Sequence, residues 1–140
     1  MGIQIEAMRI DDFDAVMALW KASEGVGFNE MDTQPCIASY LERNPGMSFV
    51  ARENGKLIGA VLCGHDGRRG YMHHLAVAAE CRKRGIGRGL VAACFAELAK
   101  IGMVKCNIFV YAHNAEGQAF WKREGWNPRV DLLVMQSATR

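Results

Sequence analysis

Apolar residues along this chain recur at strand spacing in some stretches and at helical spacing in others, and the changes of period divide it into elements. Ile3–Ile10 reads as a strand that runs into an acidic helix start, Asp11-Asp12-Phe13-Asp14, after which Phe13, Val16, Met17 and Trp20 repeat at helical spacing. A glycine-containing loop, 24–30, precedes a second helix, which Thr33 can cap. Pro35 lies in its first turn, and Ile37, Tyr40 and Leu41 form its buried face. Asn44-Pro45-Gly46 ends it. The period then shortens: Ser48–Arg52 and Lys56–Cys63 flank Asn54-Gly55, a strong hairpin signal, and the polar turn 65–70 leads into a strand at Tyr71–Val77. A long helix opens near Gly87, carries Ile86, Leu90, Val91, Cys94, Phe95 and Leu98 on one face, and stops at Gly102. Val104–Tyr111 predicts a further strand, Asn114 caps a helix to Glu124 that Gly125 stops, and Asp131–Gln136 predicts a final strand.

Strand, two helices, three strands, helix, strand, helix, strand is not the regular alternation of a doubly wound fold. It predicts one α/β (α+β) domain over residues 1–140, with a mixed, mostly antiparallel sheet and helices on both faces. Composition changes this little. Half of the 140 residues are apolar and 23% are charged, as in an ordinary globular protein. A net charge of +2 gives no reason to expect a nucleic-acid partner. Five cysteines with no CxxC pair and no metal-ligand spacing predict no metal site and suit a reducing compartment. No signal-like segment and no bilayer-length apolar run is visible, so the expectation is a cytoplasmic protein without a membrane partner.

The basic residues matter because they cluster. Arg82-Lys83-Arg84-Gly85-Ile86-Gly87-Arg88-Gly89 lies between a strand and a helix start. Glycines there let the backbone turn tightly and bring N–H groups close to a ligand, and the positive end of the helix points at the same place. That combination predicts a pyrophosphate site. A P-loop is excluded by the missing Gly-Lys-Ser/Thr, and the spacing is not GxGxxG, because Leu90 stands where the third glycine belongs.

Leu75-Ala76-Val77 followed by Arg82-x-x-Gly85-x-Gly87 resembles the acetyl-coenzyme A signature of the GNAT N-acetyltransferases. Asn114 followed by Ala119-Phe120-Trp121 and Gly125-Trp126 is similar to that family's second landmark, and the order of elements extends the resemblance over essentially the whole chain. The resemblance implies that the Leu75–Val77 backbone pairs with the pantetheine arm of acetyl-coenzyme A where two strands splay apart. It also implies that main-chain N–H groups across Arg84–Arg88, Ile86 among them, hold the pyrophosphate. Arg82, Lys83 and Arg88 would add charge, with Asn114, Phe120 and Trp121 on the other wall. The implied reaction is direct attack of a neutral primary amine on the acetyl thioester. The acceptor stays open between a small-molecule amine and a peptide or protein amine, and family members often dimerise through their C-terminal strands.

Family enzymes often place a carboxylate or histidine on the strand at 71–77 to take the amine's proton. By position the candidates are Tyr71 and His73. Period-two alternation puts Tyr71, His73, Leu75 and Val77 on one face and Met72, His74 and Ala76 on the other, so the two adjacent histidines are expected to face opposite ways. Trp121 departs from the family pattern, which has a tyrosine there as the acid for the departing thiolate; indole N–H donates a hydrogen bond but is no acid in this pH range. Tyr111 or a water could substitute. That departure motivates an alternative, a non-catalytic acyl-coenzyme A sensor. Glu24, Glu30 and Asp32 could attract a cationic amine, with Phe28 and Met31 as walls, and Cys81 beside Arg82 is the thiol most exposed to reaction by its setting.

Overall fold

The structure is a computed structural model describing residues 2–140. The chain divides into two compact units, one ending at Phe109 and one beginning at Val110. The first contains β1 (Ile3–Ala7), α1 (Phe13–Lys21), α2 (Gln34–Arg43), β2 (Phe49–Glu53), β3 (Lys56–His65), β4 (Gly70–Val77), α3 (Ile86–Lys100) and β5 (Cys106–Ile108). The second contains α4 (Ala115–Arg123).

The five strands form one sheet in the order β1-β2-β3-β4-β5, antiparallel except for β4 with β5. This is the mixed, mostly antiparallel sheet that the pattern predicts. Its hairpin turn is the expected one, with Asn54 and Gly55 both at positive φ (53° and 79°). One face packs on α1 and α2: Val50, Ala60, Leu62 and Ala76 cluster with Met8, Val16, Trp20 and Ile37, and Trp20 is wholly buried. The other face, with Ala51, Val61, Cys63 and Met72, meets Leu90, Val91, Cys94 and Leu98 of α3. Approach there is close. A Cβ on Gly70 would stand 2.7 Å from Leu98 Cδ1, and one on Gly59 3.1 Å from Leu90 Cδ1.

The caps also form as the sequence predicts. Thr33 Oγ1 accepts from Cys36 N–H at 3.4 Å, and Asn114 Oδ1 accepts from Gly117 N–H at 2.9 Å.

Two expectations fail. Residues 131–136 form no strand; one backbone hydrogen bond, Leu132 N–H to Arg129 O, closes a turn there instead. An apolar run is a strand only where a neighbouring backbone pairs with it, and no strand among the described residues does so.

The second failure is the alternation along β4. Ala60 pairs with Ala76 but Leu62 pairs with His73, so Val61 alone faces two residues, His74 and Leu75. The extra residue is a β-bulge, and His74 carries it at φ 55°. Histidine is among the few side chains that enter the left-handed region with some frequency. Beyond the bulge the parity reverses: Ala76, not Leu75, shares the face of Leu62 and His73.

Candidate active site

The loop after β4 builds an anion cradle out of backbone. Arg82 Nε donates to Val77 O at 3.1 Å, which folds the loop back onto the strand end. Lys83 and Gly85 then take left-handed conformations (φ 64° and 80°), and α3 starts at Ile86. Two left-handed residues beside a helix start turn successive N–H groups the same way. Among the described residues, the N–H groups of Lys83, Arg84, Gly85, Ile86 and Gly87 have no hydrogen-bond partner, and Gly89 N–H makes the first helical bond, to Gly85 O. These are the orphan donors of a helix N-terminus, increased in number by the loop. Ile86 is buried and anchors the helix start, leaving its N–H as its possible contribution.

The side chains of the basic cluster are unlike one another. Arg84 is engaged with Glu53 of β2, through contacts of 3.0 and 2.5 Å, and this bond is the main reason the Glu53 carboxyl sits below its ordinary range. Its guanidinium therefore braces the loop, while its N–H belongs to the cradle. Lys83 and Arg88 are exposed. Cys81, expected to be the reactive thiol, is buried beneath the loop at 7% exposure.

Next to the cradle the sheet opens. β5 pairs only with Gly70–Met72, so from His73 to Val77 the β4 edge that faces β5 has no strand beside it among the described residues. Leu75, Ala76 and Val77 lie along this open edge. An extended chain carrying amides could hydrogen-bond there as a strand does.

On the α1/α2 side of β4 lies a cleft of about 250 Å³, lined among others by Asp32, Cys36, Tyr40, Leu62, His73 and His74. Both histidines line it, which corrects the expectation of opposite faces; the left-handed turn at His74 brings its ring round. Tyr71 is not among the lining residues and stacks parallel to His73, with ring centres 6.4 Å apart. Phe109 lies 6.0 Å from His73 on the ring-centre measure. His73 is held below the ordinary histidine pKa, first by burial and then by the neighbouring His74, with Asp32 opposing.

The sequence weighed Asp32 only as one of several loop acids. In the structure its carboxylate meets His74 Nε2 with both oxygens at 3.1 Å, and both side chains are largely buried (7% and 14% exposed). Asp32 Oδ2 also accepts from Asn29 N–H at 3.0 Å, which fixes the carboxylate within the 29–32 turn. Trp20 packs edge-on against the His74 ring at 4.9 Å, and Phe28 lies 6.1 Å away. Trp20 is thus core and cleft support together, while Glu24 and Glu30 do not line the cleft. No residue spacing in the sequence signals the Asp32–His74 pair, whose members are 42 residues apart.

In the second unit, Asn114 caps α4 with its side chain. Trp121 lies edge-on to both Phe120 (5.1 Å) and Trp126 (4.8 Å), and Tyr111 stacks on His113 at 5.3 Å.

Residues 13–126 match the family described as Acetyltransferase (GNAT) family. The chain belongs to the GNAT acetyltransferases. An acetyltransferase of Pectobacterium atrosepticum is 33% identical over 115 residues, covering 80% of this chain and 79% of its own. One from Sodalis glossinidius is 31% identical over 136 residues, covering 95% and 93%. Among solved structures, the PaiA N-acetyltransferase of Thermoplasma acidophilum in complex with coenzyme A shares the fold with a TM-score of 0.77. It is 18% identical, and the match covers 89% of each chain. The mixed five-stranded sheet is therefore the GNAT fold, and the resemblance drawn from the two sequence landmarks is correct.

Proposed function

We propose that residues 1–140 form one GNAT domain that moves the acetyl group of acetyl-coenzyme A to a primary amine by direct attack. The observation that carries this reading is the run of five partnerless N–H groups from Lys83 to Gly87, set beside the open edge of β4. A diphosphate suits the first and an amide-bearing arm suits the second, so the residues present fit coenzyme A. Lys83 and Arg88 add charge, and Leu75, Ala76 and Val77 supply the strand edge. Asn114, Phe120 and Trp121 are further cofactor-binding residues in this reading, which rests for them on the family landmark. The family match spans both units, which supports treating them as one domain.

The cofactor supplies an acetyl group activated as a thioester. The amine nitrogen bonds to the acetyl carbon, the C–S bond breaks, and the sulfur departs as thiolate or thiol. A protonated amine has no lone pair for this, so the site must take its proton first. The acceptor enters the cleft beside His73 and His74, and an imidazole there is suited to the proton near neutral pH. Of the two sequence-derived candidates, His73 lines this cleft and Tyr71 only stacks behind it. Among the described residues no lysine or arginine lines the cleft, which suits a cationic acceptor, either a small amine or the amine of a peptide or protein. Cytoplasmic location and a homodimer belong to the same reading.

Trp121, without an acid for the thiolate, favours a second reading, a non-catalytic acyl-coenzyme A sensor. Thiol release from acetyl-coenzyme A across a panel of small amines and peptides separates the two. The first reading predicts amine-dependent thiol and an acetylated amine by mass, and binding without release supports the second.

A further inference from the structure

We infer that His74, held by Asp32, takes the proton from the acceptor amine, with Asp32 as its positioning residue and His73 as a neutral wall of the cleft. The inference rests on the acetyl-transfer reading above and assigns the proton within it.

The geometry fixes which nitrogen can act. An ionised carboxylate only accepts hydrogen bonds, so an Asp32 that contacts Nε2 with both oxygens holds the proton on Nε2. In the neutral ring that leaves the lone pair on Nδ1, which has no hydrogen-bond partner among the described residues. The carboxylate is itself tied down by Asn29 N–H, and the ring is braced by the edge of Trp20. Both rings of the His73-His74 sequence line the cleft because the bulge places His74 at φ 55°. A left-handed residue in mid-strand is a strained conformation, and its strain is understandable where it aims a side chain.

The groups facing His74 are few. Asp32 comes from the loop before α2, Trp20 from α1, Cys36 and Tyr40 from α2, and His73 from β4 itself. Burial holds the Tyr40 phenol well above its ordinary pKa and pushes His73 downward, so neither contributes a fixed charge near neutrality. Asp32 is therefore the charge that stabilises an imidazolium once His74 has accepted a proton. In the step, the ammonium N–H bond breaks and the proton moves to Nδ1. The freed lone pair then forms the C–N bond as the C–S bond breaks. The second proton of the nitrogen, now bonded to the acetyl carbon, passes to the departing thiolate directly or through water, giving the amide and the thiol.

The test uses the full chain with acetyl-coenzyme A and the same amine panel, measuring kcat, KM and coenzyme A Kd for wild type, His74→Gln, Asp32→Asn and His73→Gln. His74→Gln is expected to lower kcat by about 10²–10⁴-fold and to abolish the acid limb of the pH profile, with coenzyme A affinity unchanged. Asp32→Asn is expected to lower kcat without raising KM in proportion. In ¹⁵N spectra it should convert His74 from a single Nε2-protonated tautomer to a mixture, a change that a merely structural contact does not predict. Should His74→Gln fail to fold, Asp32→Asn, which has nearly the same shape, decides through kcat and the tautomer signal. Near-wild-type turnover in His74→Gln or Asp32→Asn overturns the assignment, as does loss of the acid limb in His73→Gln alone. If the wild type itself releases no thiol with any amine while binding coenzyme A, the acetyl-transfer reading fails and the assignment falls with it.

Discussion

The cofactor cradle follows the C-terminal end of β4 and the proton site lies at the middle of the same strand, yet they are made from different materials. The cradle after β4 is made of main chain: five N–H groups are turned outward by two left-handed residues and a helix start. Its most conspicuous cation, Arg84, is spent on Glu53. The cleft beside β4 is made of side chains from a loop, one helix and two strands, and a bulge in β4 turns both histidines into it. A backbone site depends on where glycine stands and tolerates loss of a charge. A side-chain site depends on register and on a single buried partner.

That contrast can be broken at its strongest point by Gly85→Val. A branched residue at φ 80° is strained, and the variant should realign the N–H groups around it. Loss of one charge-assisted hydrogen bond, worth about 1.5–3 kcal/mol, corresponds to roughly 10–100-fold weaker coenzyme A binding. The chain should stay folded, because nothing lies within 4 Å of the added Cβ. Titration calorimetry alongside a thermal melt checks both statements. Arg88→Ala should weaken binding less, by about 2–5-fold, in keeping with an exposed charge. The wild-type affinity should fall as salt rises from 0.1 to 1 M, roughly, as screening shortens.

On the other side of the comparison, His73 gives a pH signature. Its folded-state pKa is depressed by burial, so as pH falls the unfolded chain takes up this proton first. The contribution to stability is therefore complete above the unfolded value near 6.5 and declines as pH drops from there toward the folded value. His73→Phe should flatten that decline in denaturant melts between about pH 7 and 5. An unchanged slope would mean that His73 is solvated in the native state.

The smallest expected effect belongs to Trp121→Tyr. A phenol offers the acid that indole lacks, yet a thiol of pKa about 8.5 already leaves tolerably as thiolate. Turnover should hold or rise by a few fold, read by thiol release. A large fall with coenzyme A affinity intact would make the indole part of the acceptor site.

The same division explains what could be read from the sequence. The cradle was legible because its parts are contiguous: Gly85, Gly87 and the start of α3 lie within a few residues, and their conformational needs are local. The hairpin at Asn54-Gly55 and the caps Thr33 and Asn114 were legible for the same reason. The bulge was not. Alternation along Tyr71–Val77 is unbroken in the sequence, and only the pairing of Val61 with two residues of β4 reverses it. In the sequence Asp32 is one of three loop acids with nothing to set it apart, and only the fold closes the 42-residue separation from His74. Arg84 joins the expected pyrophosphate site through its N–H, and the ion pair of its guanidinium with Glu53, 31 residues away, is not legible in the sequence. The run at 131–136 has the composition of a strand but no neighbour to pair with, and composition alone does not make one.

The most direct test of the account is a single calorimetric comparison, coenzyme A titrated into wild type, Gly85→Val and Asp32→Asn at one pH and salt concentration. If the cofactor is held by backbone at 83–87 and the proton by a separate side-chain pair, wild type and Asp32→Asn bind equally while Gly85→Val binds about 10–100-fold more weakly. Equal binding by all three folded proteins, or a loss in Asp32→Asn matching that in Gly85→Val, would contradict it.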